Sequence, residues 1–306
     1  MGQASHMDLT HPLFRVGATY DIDPKAPGRP HIVCATDFSQ AGDVAFGHAL
    51  RIALAGPSKL TLLHVGRESR AGVRWERFPG VRERLVAWAR LDAAADQADV
   101  DDRLGVRVAK FAMRDEDPAA GIIDFAAHHP AHLLVLAHVA RGRRRLPGAA
   151  SVALRVLRAA RVPMLILPAA GAGFVDPDSG RSTLRRMLVP VDHEPDARPA
   201  LALTGSLCAA LADEPLEARA FYVGAQGDAP PYLFGSDPRC SWSWRYGSGD
   251  VAGAIAAEPA DLVAMPTGGP RGLREHLTGS TLDRLLDRVR CPLLAIPSVD
   301  QEAPDS

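Results

Sequence analysis

Lysine is nearly absent from this chain of 306 residues: it occurs at Lys25, Lys59 and Lys110, and arginine supplies the rest of the 35 basic residues. We read that bias as one of base composition rather than of function. None of the three lysines follows a glycine, so the chain has no GxxxxGK[ST] phosphate loop. It has no GxSxG nucleophile elbow either, and P-loop ATPase and serine hydrolase chemistry therefore lack their usual parts. Cysteine is scarce. Cys34, Cys208, Cys240 and Cys291 stand without CxxC spacing, which suggests neither a zinc cage nor a disulfide framework and fits a reducing cytoplasm. Long apolar runs are missing too. The longest candidate, AHLLVLAHVA, is well short of the roughly 18 to 20 residues of a membrane helix. The opening MGQASHM has no basic-then-apolar leader pattern and reads as an expression-tag scar. The chain is thus expected to be cytoplasmic, neither exported nor anchored. Its net charge of -1 supplies no general attraction for nucleic acid or an acidic membrane, so neither is expected as a partner.

What is present is a repeat. HIVCATDFS (His31 to Ser39) and RMLVPVDHE (Arg186 to Glu194) are both short apolar runs that lead into an aspartate, and Asp37 and Asp192 lie 155 positions apart. PAHLLVLAH matches PADLVAMPT, and RVPMLILP matches RCPLLAIP, both at an offset of 129 that holds without a gap from Pro130 to Pro168. Self-similarity on that scale means two tandem domains, and 47% hydrophobic residues over this length suffice for two cores. The difference between the offsets says that the second copy lost residues in its middle, after its second strand. In the first copy that stretch, Trp75 to Asp99, carries Val81, Leu85, Val86, Trp88, Ala89 and Leu91 at mostly helical spacing. The second copy has Gly224 to Arg239, rich in Gly, Pro and Asp, so a helix in the first domain is expected to be a loop in the second.

Each copy alternates strand and helix in the order of a doubly wound parallel sheet. The expected strands of the first are 32–36, 60–65, 106–112, 133–137 and 164–167; those of the second are 187–191, 217–223, 240–246, 262–265 and 293–296. Ser39 is a plausible N-cap for the first helix. SWSWRY puts Trp242, Trp244 and Tyr246 on one face of its strand; they pack against core helices, cover the space of the missing helix, or form a partner-binding patch. The domains are expected at 30–170 and 184–298, with an extension at 1–29, a linker at 171–183 and a tail at 299–306. The fifth strands are natural edges, and pairing them across a pseudo-twofold axis would hide both at once.

In an open parallel sheet a ligand sits beyond the carboxyl ends of the strands where the winding reverses, here between the first and fourth. The second copy delivers Pro190, Val191 and Asp192 there, with Val223 from the neighbouring strand and the segment MPTGGPRGLREHLTGST from Met265 to Thr281. Glycines let backbone amides approach an anion, and a helix N-terminus points unpaired N–H groups at it. A phosphate chain is the expected ligand, with Arg271 or Arg274 able to add charge-assisted bonds.

These residues resemble the universal stress protein family, whose nucleotide loop reads Gly, two residues, Gly, nine residues, Gly, then Ser or Thr. Pro266, Gly269, Gly279 and Ser280 stand at those positions, and MPTxGxxG followed by GST is similar to a variant of the loop. VPVDHE and DRVRCPLLAIP resemble the family's first strand and last helix-strand unit. The resemblance implies two tandem five-stranded Rossmann-like α/β domains packed as a pseudo-twofold dimer. It also implies ATP or a related adenine nucleotide, with or without Mg, and Asp192 near the ribose or adenine. Met265, Pro266, Thr267, Gly269, Arg271, Gly272, Gly279, Ser280 and Thr281 would lie around the phosphates. Proline at 266 departs from the pattern and removes one N–H from the loop.

The first copy resembles the family through CATDFS, LTLLHV and RAARVPMLILP, but its loop positions are Ala137, Ala140 and Ala150, followed by Ser151. Three methyl groups stand where close phosphate approach needs glycine. Arg141, Arg143, Arg144 and Arg145 make either a solvated face or a site for an anionic partner. His128, His129 and His132 lack acidic or cysteine partners at regular spacing, and we assign no metal there. Three functions compete. The first is a stress-response binding module, not an enzyme, with nucleotide in domain 2 and domain 1 as dimerisation scaffold. The second is an interaction protein with both sites decayed, and the third a slow ATP hydrolase. Family members often pair into four-domain assemblies, so a homodimer of the tandem chain is open.

Overall fold

The computed structural model describes residues 29–68, 72–138, 151–168, 173–234, 237–267 and 280–297, with the backbone alone for 280–283. Its strands form where apolar residues run in short stretches bounded by turn residues. In the first copy they are β1 (His31–Ala35), β2 (Ser58–Gly66), β3 (Val106–Arg114), β4 (Leu133–His138) and β5 (Met164–Pro168). In the second they are β6 (Arg186–Pro190), β7 (Leu216–Val223), β8 (Cys240–Gly247), β9 (Leu262–Thr267) and β10 (Leu293–Pro297). Every one of the ten expected strands is found, displaced by a residue or two at its ends.

Polar caps set the helix starts. Ser39 Oγ accepts from Gly42 N at the head of α1 (Gln40–Ala53), as expected. Asp117, followed by Pro118, caps α4 (Pro118–His128), and Ser151 caps α5 (Val152–Ala159). Between β2 and β3 the first copy forms α2 (Val81–Ala87) and a further short helix, α3 (Ala98–Leu104), where sequence periodicity pointed to one helix. The second copy has α6 (Arg198–Leu211), α7 (Val251–Ala257) and α8 (Ser280–Arg288). Between β7 and β8 its described residues form only a single 3-10 turn at Gln226–Asp228, so the expected exchange of helix for loop is seen. No described helix is long and apolar enough to cross a membrane.

All ten strands join one sheet in the order β3-β2-β1-β4-β5-β10-β9-β6-β7-β8. Every neighbouring pair is parallel except β5 and β10, which run antiparallel with Leu165 opposite Leu294. The repeat offset makes those two leucines the same position of the two copies, so the joint is locally self-complementary. Alternation sorts each strand to two faces. Ile32, Cys34, Leu165 and Leu294 enter one core with α1, α2 and α6, while Val33, Met164, Ile166 and Leu293 enter the other with α4, α5, α7 and α8. Both cores contain residues of both copies.

The segment read as a linker packs against the first copy. Phe174 is buried, its N–H donates to His48 Nε2 at 2.9 Å, and Trp88 Nε1 donates to Pro177 O at 2.9 Å. Gly180, at φ 67, faces the Trp88 ring so closely that a Cβ would stand 2.3 Å from it, which excludes any other residue there without movement. Arg51 of α1 reaches Asp213 at 3.2 Å, and Asp213 accepts from Ser182 N at 2.7 Å.

Two outcomes follow for stability. Leu165→Ala and Leu294→Ala each empty a buried site on the joint and should lower unfolding free energy by about 2–5 kcal/mol. In urea titrations the double variant should fall short of the sum, since the two face each other. Burial holds His48 neutral to a pKa of about 4, whereas the unfolded ring titrates near ~6.5. Its contribution is full above the unfolded value and is lost as pH falls through 6.5 toward 4. The unfolding free energy from urea titrations should therefore drop between pH 7 and 5, by about 1–2 kcal/mol for this group at pH 5, and His48→Gln should remove that part of the slope.

Candidate functional site

At the carboxyl ends of the second copy's strands the sheet splits. The β6–β9 ladder pairs Met187 with Leu262 and Leu188 with Val263, while β9–β10 continues to Thr267. Beyond the last β6–β9 pair lies a small, half-open cleft of about 100 Å³. Six of the residues singled out in the sequence line it together: Pro190, Val191, Asp192, Val223, Met265 and Pro266. Thr267 is buried at the end of β9. Ser280 and Thr281 are the first residues of α8. Because α8 crosses back between parallel β9 and β10, its N-terminus lies at the same end of the sheet as the cleft. Gly269, Arg271, Gly272, Arg274 and Gly279 lie outside the described residues.

The cleft also takes Phe221 from β7, Val251 and Ile255 from α7, and Glu194 and Pro195 from the turn after β6, none of which the sequence placed at the site. Alternation along β7 holds a signal for Phe221, two positions before Val223. For Val251 and Ile255 there is none, because only tertiary packing brings α7 across the opening. The walls are apolar and the exposed acids are Asp192 and Glu194.

The turn that carries these acids is held by the loop that replaced the helix. Tyr232 Oη donates to Asp192 O at 3.3 Å and accepts from Ala197 N at 3.1 Å; His193 Nε2 lies 2.8 Å from Asp228 O. His193 N donates to the Asp192 carboxylate at 2.8 Å. On the other side Asp250 caps α7 through Gly253 N and binds Arg284 and Arg288 of α8 at 3.0 and 2.9 Å. The Gly253 N–H and the Arg288 guanidinium hold the Asp250 carboxyl below the usual carboxylate range.

The first copy differs at the same end. Asp37 accepts from Ser39 N at 3.0 Å, a turn-capping role. Phe38, in the left-handed region at φ 62, stacks on His64 with centroids 4.1 Å apart and meets Phe78 edge-on at 5.1 Å. The Arg77 guanidinium lies 4.5 Å from the Phe38 ring centroid. A bulky side chain in that backbone region is strained, and here aromatic packing from the segment before α2 retains it over the strand ends. Ala137 and His138 end β4, with His138 Nε2 3.7 Å from Asp287 of α8. Ser151 Oγ accepts from Leu154 N. Ala140, Ala150, Arg141, Arg143, Arg144 and Arg145 lie outside the described residues.

Other residues have local roles. His128 and His129 bind carbonyls of their own helix, Asp124 O and Phe125 O, and His132 Nδ1 accepts from His31 N. Phe234 stacks on Trp242 at 4.9 Å, and both pack with Trp244 against the core on the face that α2 covers in the first copy. The aromatics of β8 thus cover the place of the missing helix, and Tyr246 is their exposed end.

A scan against protein-family models matches the universal stress protein family over residues 28–168 and 247–297, together more than half of the chain. A comparison with curated proteins finds no match. Among solved structures, a universal stress protein from Archaeoglobus fulgidus is 18% identical, with a TM-score of 0.55, over 89% of this chain and 97% of its own. A putative universal stress protein from Pseudomonas aeruginosa is 17% identical at a TM-score of 0.52, over 89% and 94%. The cytoplasmic domain of a prokaryotic cation chloride cotransporter is 11% identical at a TM-score of 0.50, over 90% and 98%. At such identities the likeness is one of fold, and it is the family match over both copies that shows membership: the chain belongs to the universal stress protein family.

Proposed function

We propose that the second copy is an adenine-nucleotide binding module, holding ATP or ADP in the β6–β9 cleft, and that the first copy serves mainly as its scaffold. The observation that carries this reading is the convergence of Pro190, Val191, Asp192, Val223, Met265 and Pro266 on one cleft at the reversal of the winding. Apolar walls of Val191, Val223 and Met265 suit a planar base. The carboxylates of Asp192 and Glu194 accept from ribose hydroxyls and repel phosphates. They therefore direct the phosphate chain, with its magnesium, away from themselves and toward the N-terminus of α8 and the glycine segment before it. The module holds a nucleotide rather than hydrolysing it, since Asp192 serves the ribose in this arrangement and not the terminal phosphate.

Pro266 favours a second reading. It lines the cleft without an N–H to offer, as an interaction protein that needs no nucleotide would tolerate. One experiment separates the two: mass spectrometry of small molecules released when the purified chain is denatured, followed by calorimetric titration of ATP. Released adenine nucleotide, or saturable ATP binding, is expected. Asp192→Ala should weaken ATP binding by about 10- to 100-fold, the worth of a hydrogen bond to a charged group, and Val223→Trp, which fills the cleft, should abolish it. Neither bound nucleotide nor binding heat in the wild type would refute nucleotide binding. Unchanged affinity in both variants would place the nucleotide elsewhere.

A further inference from the structure

Two of the four cysteines, 32 positions apart, meet in the core of the second copy. Cys208 lies on α6 and is fully buried; Cys240 is the first residue of β8 and is 4% exposed. Their Sγ atoms are 2.8 Å apart, and both are free thiols. A disulfide needs ~2.05 Å, so bond formation asks the two sulfurs to close by less than about 1 Å. The neighbouring residue reinforces the contact, for Arg239 Nη1 donates to Ala209 O of α6 at 2.9 Å. Helix and strand are therefore clamped together at successive positions of both.

The geometry points to Cys208 and Cys240 as a reversible dithiol–disulfide site, a covalent modification that ties α6 to the edge strand β8. The thiols differ in readiness. The Cys208 S–H donates to Cys240 and lowers its pKa, whereas burial raises Cys34 to about 12 and Cys291 to about 11. Cys240 is the attacking group. With hydrogen peroxide, small enough for a nearly buried site, the Cys240 thiolate attacks one oxygen, the O–O bond breaks and hydroxide leaves, giving a sulfenic acid. The Cys208 sulfur then attacks that sulfur, an S–S bond forms, the S–O bond breaks, and the Cys208 proton leaves with the oxygen as water. In sum two thiols and one peroxide become one disulfide and two waters, and an external dithiol reverses the step.

The closed loop runs from Cys208 through β7 to Cys240 and contains Asp228 and Tyr232, which hold the turn carrying Asp192. Oxidation thus stiffens one wall of the cleft, whether or not a nucleotide occupies it.

Peptide mapping of the full chain under non-reducing conditions, after treatment with hydrogen peroxide, tests the site. Trypsin should yield residues 187–219 joined to 240–245, two hydrogens lighter than the separate peptides, and the join should vanish with dithiothreitol. Thiols titrated in denaturant should fall from four to two. The oxidised protein should melt about 5 °C or more above the reduced one, because the bond closes a long loop. Cys208→Ser should lose both the link and the shift while leaving a Cys240 sulfenic acid that dimedone traps. Four thiols remaining in the wild type, or oxidation confined to Cys34 and Cys291, would overturn the proposal.

Discussion

Where β5 meets β10, each copy of the repeat faces its own counterpart, with Leu165 opposite Leu294 in an antiparallel pair. A five-stranded sheet in the order 3-2-1-4-5 leaves its fifth strand open, and an open strand is a row of unpaired donors and acceptors. Pairing the two fifth strands removes both edges and makes one sheet of ten, whose remaining edges are β3 and β8. The helices follow from this. Residues of α1 and α6 enter the same core because the joint continues one sheet face into the next, and residues of α5 and α8 share the other core for the same reason. Neither copy owns a complete core, so the first supports the second whatever its own strand ends do.

The joint leaves the far sides of the two sheets free to differ, and they do so after the second strand of each copy. In the first, the added residues bring Trp75 and Phe78 toward the strand ends, where Phe78 meets Phe38 and His64, while α2 and α3 pack along the sheet. In the second, the shorter loop supplies Tyr232 and Asp228 to the turn beside the cleft and Phe234 to the aromatic row of β8. One length difference thus goes with a covered strand end in one copy and an open one in the other.

The strands were legible because their apolar runs and their repetition are local facts, read without knowing what packs against them. So was Ser39 as a cap, since capping needs only the residues that follow. Pro190, Val191, Asp192, Val223, Met265 and Pro266 were legible at the cleft too, because the order of a doubly wound sheet fixes which strand ends lie together, although Phe221 of β7 was missed. What stayed hidden depends on contacts between distant segments. Glu194 and Pro195 reach the cleft through the path of a turn, and Val251 and Ile255 through the position of a helix. The packing of Phe174 on His48 made an ordered element of a segment whose composition reads as a linker. Cys208 and Cys240 carry no spacing signal, since a helix and an edge strand bring them together rather than a motif.

Proline at position 266 has a second aspect once the strand ends are seen. Pro190 ends β6, and Pro266 lies one residue from the end of β9, each past the last β6–β9 pair at Leu188 and Val263. Neither nitrogen carries a proton, so neither can donate a further ladder bond across the split. An ordinary residue at either position would bring an N–H that needs a partner, and the neighbouring strand is the nearest source of one. The two prolines thereby favour strands that stay apart where the cleft opens, while Pro266 remains in register with Ile296 on its other side. The proline that departs from the family's loop pattern is thus also part of what keeps the two strands apart beside the cleft.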